Sequence, residues 1–158
     1  MCIRDSTGDM CVGGWPCLIN IPEAGAAYVF RYDVDHWVFE DVLWAEDHIQ
    51  ESANFGVSTY TDGTKIVVGA SYEDPSGAGI DDNSGAIYVF SHDGSGAWPW
   101  VLDVRIDAYG LDDGSGGNYD AYRPDGRLGG GRSGIVIDDD ILIAGSRGDD
   151  VLGTDSVV

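Results

Sequence analysis

The chain has little positive charge. Eight Lys and Arg stand against 28 Asp and Glu in 158 residues, which gives a formal net charge of −20. Nucleic acids and anionic membrane surfaces are themselves negative, so proteins that bind them carry clustered basic residues. The composition argues against nucleic acid or an anionic membrane as a partner and favours a well-solvated protein.

Long hydrophobic runs are also lacking. No apolar run approaches the roughly 20 residues that a transmembrane helix requires, so no membrane insertion is expected. The first residues, MCIRDSTGDM, contain no apolar core of a secretory signal. Residues 1–6 match nothing else in the chain, and we interpret them as an unrelated or artefactual N-terminal end. The missing signal therefore says little about export.

Cysteine is scarce as well. The three cysteines are Cys2, Cys11 and Cys17, and the three histidines are scattered. No spacing among them matches a zinc site. Whether Cys11 and Cys17 form a disulfide is left open.

What the chain does contain is an internal repeat. GAAYVF (25–30) recurs as GAIYVF (85–90), and WVFEDVLWA (37–45) recurs as WVLDVRIDA (100–108). The spacing is about 60 residues, and a fixed period of this length is typical of stacked or radial units.

A second element of the repeat lies between these runs. FGVSTYTDGTKIVVGAS (55–71) corresponds to GGRSGIVIDDDILIAGS (130–146), and a truncated copy opens the chain as TGDMCVGGW (7–15). In this alignment Ile66-Val67-Val68 matches Ile141-Leu142-Ile143. An insertion at 107–126 lengthens the second unit.

The apolar runs predict strands. They are short and rich in Val, Ile, Tyr, Phe and Trp, and turn pairs such as Asp62-Gly63 separate them. Nine strands are predicted, at about 9–13, 27–32, 37–43, 56–61, 65–70, 86–91, 100–106, 132–138 and 140–145. A helix over 40–52 is the minor alternative, because the repeat already assigns the first half of that segment to a strand.

The predicted fold is all-β, with beta-propeller blades of four antiparallel strands in an incomplete ring of a little over two blades. The predicted divisions are a partial blade at 7–54, a full blade with the insertion at 55–126, and a partial blade at 127–158. A blade cannot bury both faces alone. We therefore expect open apolar faces on this chain and further propeller blades in the full-length chain.

The pattern FG…IVVGAS…GAIYVF…W resembles the FG-GAP repeat, the blade unit of integrin alpha-subunit propellers and of many bacterial secreted or surface proteins. Phe55-Gly56 stands for the FG pair, and Gly69-Ala70-Ser71 for the GAP triplet. In the third unit, Gly130-Gly131 and Ala144-Gly145-Ser146 take these places. The resemblance covers about residues 7–150, and the long acidic loops look more like the bacterial branch.

The resemblance implies a propeller at an extracellular or cell-surface location that binds a protein or glycan ligand. Some family members bind calcium between the first two strands of a blade. The corresponding turns here, YTDGTK (60–65) and VIDDDI (136–141), are too short to supply roughly six to eight oxygen ligands.

The insertion supplies a different calcium candidate. Asp112, Asp113, Asn118 and Asp120 place four oxygen-bearing side chains close together among glycines, and calcium prefers such ligands. The alternative is a surface loop lengthened by drift, which costs little entropy. Asp81, Asp82 and Asn83 form a weaker candidate.

Aromatic residues offer a second kind of contact. Tyr109, Tyr119 and Tyr122 in the insertion are candidates for a partner surface. Trp37 and Trp100 recur in the repeat, which favours packing between blades, whereas Trp98 does not recur and is the freer candidate for stacking on a sugar.

Two other motifs are interpreted as chance matches. LGGGRSG (128–134) lacks the Lys-Ser/Thr ending of a phosphate-binding loop. The Arg-Gly-Asp within SRGDD (146–150) falls in an ordinary loop position of the repeat.

The sequence therefore predicts a non-enzymatic extracellular or cell-surface scaffold for binding and adhesion. No nucleophile elbow is visible, and the many carboxylates lie in glycine-rich loops, where nothing separates their pKa values for acid–base work. The alternatives are a propeller domain accessory to a secreted enzyme, and a calcium-stabilised structural repeat without a specific ligand.

Overall fold

The computed structural model describes residues 10–11, 20–46, 48–74, 83–94, 99–107, 126–130 and 134–147. Within these segments no helix occurs, so the all-β prediction is confirmed and the helix considered over 40–52 is wrong. The strands are β1 Met10–Cys11, β2 Asn20–Ile21, β3 Ala27–Asp33, β4 His36–Leu43, β5 Phe55–Thr61, β6 Lys65–Ala70, β7 Ala86–His92, β8 Trp100–Asp107, β9 Ile135–Asp138 and β10 Ile141–Ala144.

Strands β5 to β8 form one antiparallel sheet in the order β5-β6-β7-β8, which we call the central sheet. The Asp62 side chain closes its first hairpin, because one carboxylate oxygen accepts the N–H groups of Thr64 and Lys65, each at 2.7 Å. These bonds lower the pKa of Asp62, the Lys65 bond most. The central sheet thus has the four antiparallel strands that the predicted fold class gives to a blade.

Two hairpins flank the central sheet. Strands β3 and β4 form the first sheet, and β9 and β10 form the last sheet. The repeat predicts that 9–13 lies beside β3, as β6 lies beside β7. Instead, Met10 pairs with Ile21 and Cys11 with Asn20. The truncated copy has Gly13-Gly14 where the full copy has Gly69-Ala70, and an additional glycine weakens a strand.

The three sheets stack face to face in chain order. Successive side chains of β6 point to opposite faces: Val68 packs towards the first sheet and Val67 towards the last. One core cluster consists of Ala27, Leu43, Ala45, Phe55, Ile66, Val68, Ala70, Ala86, Tyr88 and Phe90. The other consists of Val67, Ile87, Val89, Ile135 and Ile137. This arrangement fits one full and two partial propeller blades.

The first and central sheets repeat each other in side-chain geometry as well as in sequence. Tyr32 and Trp37 make an edge-to-face contact at 5.2 Å in the first sheet, and His92 and Trp100 make the same contact at 5.1 Å in the central sheet. Both sheets are also irregular at the same point, just after Val29 and just after Val89. The first sheet therefore corresponds to β7 and β8 of the central sheet.

The link into each new sheet corrects one part of the sequence alignment. Gly25 bridges Phe55, and Gly85 bridges Leu128 in the same parallel sense. Gly56 and Gly129, the residues that follow Phe55 and Leu128, both have positive φ, at 93° and 73°. Leu128-Gly129 therefore takes the place of Phe55-Gly56, and the assignment of Gly130-Gly131 is wrong. The link needs an apolar residue followed by a glycine, and Leu meets that need as well as Phe.

The second correction concerns β10. Leu142 and Ala144 pack against the central sheet, as Val68 and Ala70 pack against the first sheet. Ile143 is 66% exposed, although the sequence alignment equates it with buried Val68. The alignment is one residue out of register here, and a slip of one residue exchanges the two faces of a strand.

Candidate functional site

The longest connections all leave the sheets at one end, which we call the loop end. Residues 44–54, 71–85 and 108–134 join successive strands there, whereas the shorter connections at 34–35, 62–64, 93–99 and 139–140 lie at the other end. Loops on a rigid scaffold are where proteins most often carry recognition. The loop end is therefore the candidate functional site.

A buried ionic network forms part of the base of this end. Glu73, just after β6, is fully withdrawn from solvent. The Tyr88 hydroxyl donates a hydrogen bond to its Oε2 atom at 2.7 Å, and Arg105 Nε donates to its Oε1 atom at 2.7 Å. Arg105 also pairs with Asp107, at the end of β8. Through these bonds, Glu73 after β6 and Asp107 at the end of β8 are both held to the central sheet.

Burial sets the protonation behaviour of this network. Burial raises the pKa of Glu73, against the lowering effects of Tyr88 and Arg105. Burial and the negative charge of Glu73 together raise the pKa of Tyr88. Burial lowers the pKa of Arg105, but the Glu73 carboxylate and Tyr88 outweigh it and the net shift is upward. Both Glu73 oxygens are engaged, so this carboxylate acts as an anchor.

A second set of bonds fastens the loops to each other. Gln50 Nε2 donates to the Asp74 carbonyl at 2.8 Å, and the Asp74 N–H donates to Gln50 Oε1 at 2.9 Å. The N–H of Asn83 donates to Asp74 Oδ1 at 2.9 Å. The beginning and end of the 71–85 connection are therefore joined to each other and to the preceding connection.

The end of the 108–134 connection is also bonded to a neighbouring connection, through Arg127. The Arg127 N–H donates to the Asn83 carbonyl at 3.1 Å, and its guanidinium lies 4.8 Å from the centre of the Tyr72 ring. A cation over an aromatic face is attractive. The end of the 108–134 connection is thus attached to the base of the 71–85 connection.

The calcium candidates of the sequence lie outside the described residues. This holds for Asp112, Asp113, Asn118 and Asp120, and for Asp81 and Asp82. Asn83 is described, and its backbone is engaged with Asp74 and Arg127. Among the described residues, no group of three or more His, Cys, Asp or Glu is arranged to hold a metal ion.

Some of the aromatic candidates lie outside the described residues and others lie within them. Tyr109, Tyr119, Tyr122 and Trp98 lie outside the described residues. Trp100 is half-buried between sheets: its backbone N–H donates to Asp41 Oδ2 at 3.1 Å and its indole N–H to Glu40 Oε2 at 3.3 Å. The predicted packing role of Trp100 is confirmed. Trp37 is exposed on the outer face of the first sheet.

The Arg-Gly-Asp tripeptide is only partly described. Arg147 directly follows Ser146, which bridges Leu128. Gly148 and Asp149 lie outside the described residues.

Sequence reasoning missed the Glu73 network because its charged members do not recur. The position of Arg105 is taken by Val42 in the first sheet, since these residues face Tyr88 and Tyr28 respectively. A signal was nevertheless present. Arg105 shares a sheet face with fully buried Tyr88, and a charge at such a position requires a partner.

Comparison with known protein families finds a match within the chain. The model of the FG-GAP repeat matches residues 37–90, from β4 of the first sheet through β7 of the central sheet. The chain therefore contains an FG-GAP repeat, as the sequence resemblance indicates. No curated protein and no solved structure matches the chain. The described residues include no helix long and apolar enough to cross a membrane.

Proposed function

Starting from a chain that carries an FG-GAP repeat and stacks its sheets as partial propeller blades, we propose a non-enzymatic scaffold that binds a protein or glycan outside the cell. Its recognition surface is the loop end. One observation carries the proposal: the long connections 44–54, 71–85 and 108–134 share one end of the sheets. Bonds from Glu73 and Asp74 hold the base on which these loops stand.

The fixed base favours binding by lowering its entropic cost. A loop whose ends are already tied to a sheet loses less freedom when it contacts a ligand. The sheets supply the rigid part, and the connections supply variable chemistry.

The charge of the loop end indicates the class of ligand. Its two longest connections and their flanking strand ends carry more acids than bases: Glu73, Asp74, Asp81, Asp82, Asp107, Asp112, Asp113, Asp120 and Asp125 stand against Arg105, Arg123, Arg127 and Arg132. Arg105 neutralises part of this charge at the buried base. A surface with excess negative charge attracts a ligand with basic groups and repels acidic ones. A protein with a basic patch therefore fits best.

The test removes the longest loop and keeps the sheets. A variant with 108–125 replaced by a short Gly-Ser linker is compared with the wild-type chain on arrays of extracellular-matrix proteins and glycans. We expect binding to weaken with salt and to be lost in the variant, at an unchanged melting temperature. Thr64→Ala, at the opposite end, is the control that retains binding. Unchanged binding by the loop variant, or none by the wild type, contradicts the proposal.

Calcium is a second candidate because the insertion contains Asp112, Asp113, Asn118 and Asp120 within a short stretch of sequence. The test is a thermal melt in EDTA and then in millimolar calcium, for the wild type and for Asp112→Asn/Asp120→Asn. A ligand that binds only the folded state raises the melting temperature. A rise confined to the wild type supports a calcium site in the insertion. Equal melts assign these acids to solvation and ligand contact.

A further inference from the structure

The central sheet contains two Asp-Gly pairs at the end opposite the loop end. Asp62-Gly63 lies between β5 and β6, and Asp93-Gly94 directly follows β7. Glycine has no side chain, so its backbone nitrogen can approach the carboxyl carbon of the preceding aspartate closely. Attack of that nitrogen on the carboxyl carbon closes a five-membered succinimide ring. The two pairs have the same sequence, but the fold places them in different surroundings.

The Asp62-Gly63 pair is held in an unreactive arrangement. Asp62 Oδ1 accepts the N–H groups of Thr64 and Lys65, each at 2.7 Å, and the Thr64 hydroxyl at 2.9 Å. Such bonds favour the ionised carboxylate, which resists attack by a nitrogen and has no hydroxyl to release. The Gly63 N–H donates to Thr61 Oγ1 at 3.0 Å, and a hydroxyl is not a base for an amide proton.

The Asp93-Gly94 pair has a base at its nitrogen. The Gly94 N–H donates to His92 Nδ1 at 3.1 Å, so this ring nitrogen carries the lone pair. A general base must lie within roughly 2.6–3.2 Å of the atom that it deprotonates. The N–H bond lies in the plane of its peptide group, and attack on the carboxyl carbon uses the face of that plane. Proton loss and attack are therefore compatible.

The surroundings of this pair are fixed to β8 and open to water. The His92 ring makes its edge-to-face contact with Trp100 at 5.1 Å, and the Asp93 N–H donates to the Pro99 carbonyl at 2.8 Å. Asp93 and Gly94 are themselves exposed. The base is thus held in place, and water can reach the reacting carbon.

We propose that Asp93-Gly94 is a self-modifying site that converts aspartate to isoaspartate with His92 as the base. In the first step a bond forms between the Gly94 nitrogen and Cγ of the protonated Asp93 carboxyl. The proton on the nitrogen passes to His92 Nδ1 and then to the departing hydroxyl, which leaves as water. The product is the succinimide, one water lighter than the starting chain.

The second step returns that water. It adds to the main-chain carbonyl carbon of Asp93, and the bond from this carbon to the Gly94 nitrogen breaks. Gly94 is then joined through Cγ, which makes the main chain one carbon longer, and the former main-chain carbonyl becomes a carboxylate. Neither step needs an oxidant, a reductant or a reactant other than water. The change lies opposite the loop end, so this inference does not depend on ligand binding there.

Ageing of the purified chain at physiological temperature tests the inference. Peptides are separated after digestion, and isoaspartate is measured at each Asp-Gly pair by enzymatic methylation and by fragmentation in the mass spectrometer. IsoAsp should form at Asp93 at least about tenfold faster than at Asp62. In urea, where neither arrangement persists, the two rates should become similar.

Variants of His92 separate a base from a hydrogen-bond acceptor. His92→Phe keeps an aromatic ring beside Trp100 without a nitrogen, and His92→Gln keeps an acceptor that is not a base. Both should slow isoaspartate formation at Asp93 by at least about tenfold and leave Asp62 unchanged. Thr61→Val, which removes the acceptor at the other glycine nitrogen, should leave Asp93 at the wild-type rate.

Circular dichroism should show the same strand content in every variant. Equal rates at Asp62 and Asp93 in the folded chain, or no isoaspartate at Asp93, overturn the inference. It is also overturned if His92→Gln reacts like the wild type, because the imidazole then does not act as a base. A difference between the two pairs that persists in urea assigns their rates to local sequence and contradicts a role of the fold.

Discussion

The hydroxyl of Tyr88 donates a 2.7 Å hydrogen bond to the carboxylate of Glu73, and neither side chain reaches solvent. Arg105 completes the group from the neighbouring strand. Tyr28 occupies the position of Tyr88 in the first sheet, where Val42 stands in the place of Arg105. The network therefore belongs to the central sheet, where the two longest connections meet.

Removing the cation of this network should be costly. Arg105→Met leaves Glu73 buried without its counter-charge, and breaking one side of a buried pair costs about 3–5 kcal/mol of unfolding free energy. The double variant Glu73→Gln/Arg105→Met removes both charges and should recover most of that loss. Urea unfolding of the wild type and of the single and double variants measures the coupling. Equal stability of Arg105→Met and the wild type would contradict a buried ion pair.

The raised pKa of Glu73 predicts a pH dependence. Its folded-state pKa lies above the ordinary value of 4.5, so the folded state holds the proton more tightly than the unfolded state. Its contribution to stability is complete below about pH 4.5 and is lost as the pH rises through the folded-state pKa.

The comparison with Glu73→Gln isolates this effect from the other carboxylates. The unfolding free energy of the wild type minus that of Glu73→Gln should fall as the pH rises above about 4.5, and should then level off. Denaturant unfolding at a series of pH values measures the difference. A difference that grows with pH would mean that the folded state depresses the pKa of Glu73.

Gly56 and Gly63 allow a matched test of the link between sheets. Both have φ near +93°, a region where a side chain costs about 1–2 kcal/mol. A Cβ on Gly56 would lie 2.7 Å from the carbonyl oxygen of Ala26, whereas one on Gly63 would meet nothing within 4 Å. Gly56→Ala should therefore destabilise the protein more than Gly63→Ala in thermal unfolding. The reverse order would contradict the close approach of the sheets.

Asp41 tests the polar contact between the first and central sheets. Its buried carboxylate accepts the backbone N–H groups of Trp100 and Val42, at 3.1 and 2.7 Å. Asp41→Ala leaves these donors without that acceptor, which should cost about 1–3 kcal/mol. Asp103→Ala, whose carboxylate accepts an exposed bond from Ser91, should change stability by less than about 0.5 kcal/mol. Similar losses in both variants would argue against the inter-sheet role.

The sequence predicts most of the strand layout because hydrophobic alternation and the repeat agree. The runs IVVGA and AIYVF alternate between two covered faces, and both become central strands of one sheet. The fold of the third unit is harder to predict. Its link uses Leu128 in place of Phe55, and its second strand contains Ile141, Leu142 and Ile143 in a row, which leaves two registers equally apolar.

The candidate site is less accessible to sequence reasoning. Asp112 and Asp120 are predicted as calcium ligands because a cluster of acids among glycines can be recognised from the sequence alone. The Glu73–Tyr88–Arg105 contact joins three segments that only the sheet brings together. The strength of this contact depends on how deeply its side chains are buried, and the sequence alone does not give that burial.

The central claim is that successive sheets stack, so that neighbouring side chains of β6 touch different sheets. Methyl-selective NMR measures this directly. We predict that the Val68 methyl groups show nuclear Overhauser contacts to Leu43, and that the Val67 methyl groups show them to Ile135 and Ile137. Contacts from both valines to the same neighbour, or from neither valine to either sheet, would contradict the account.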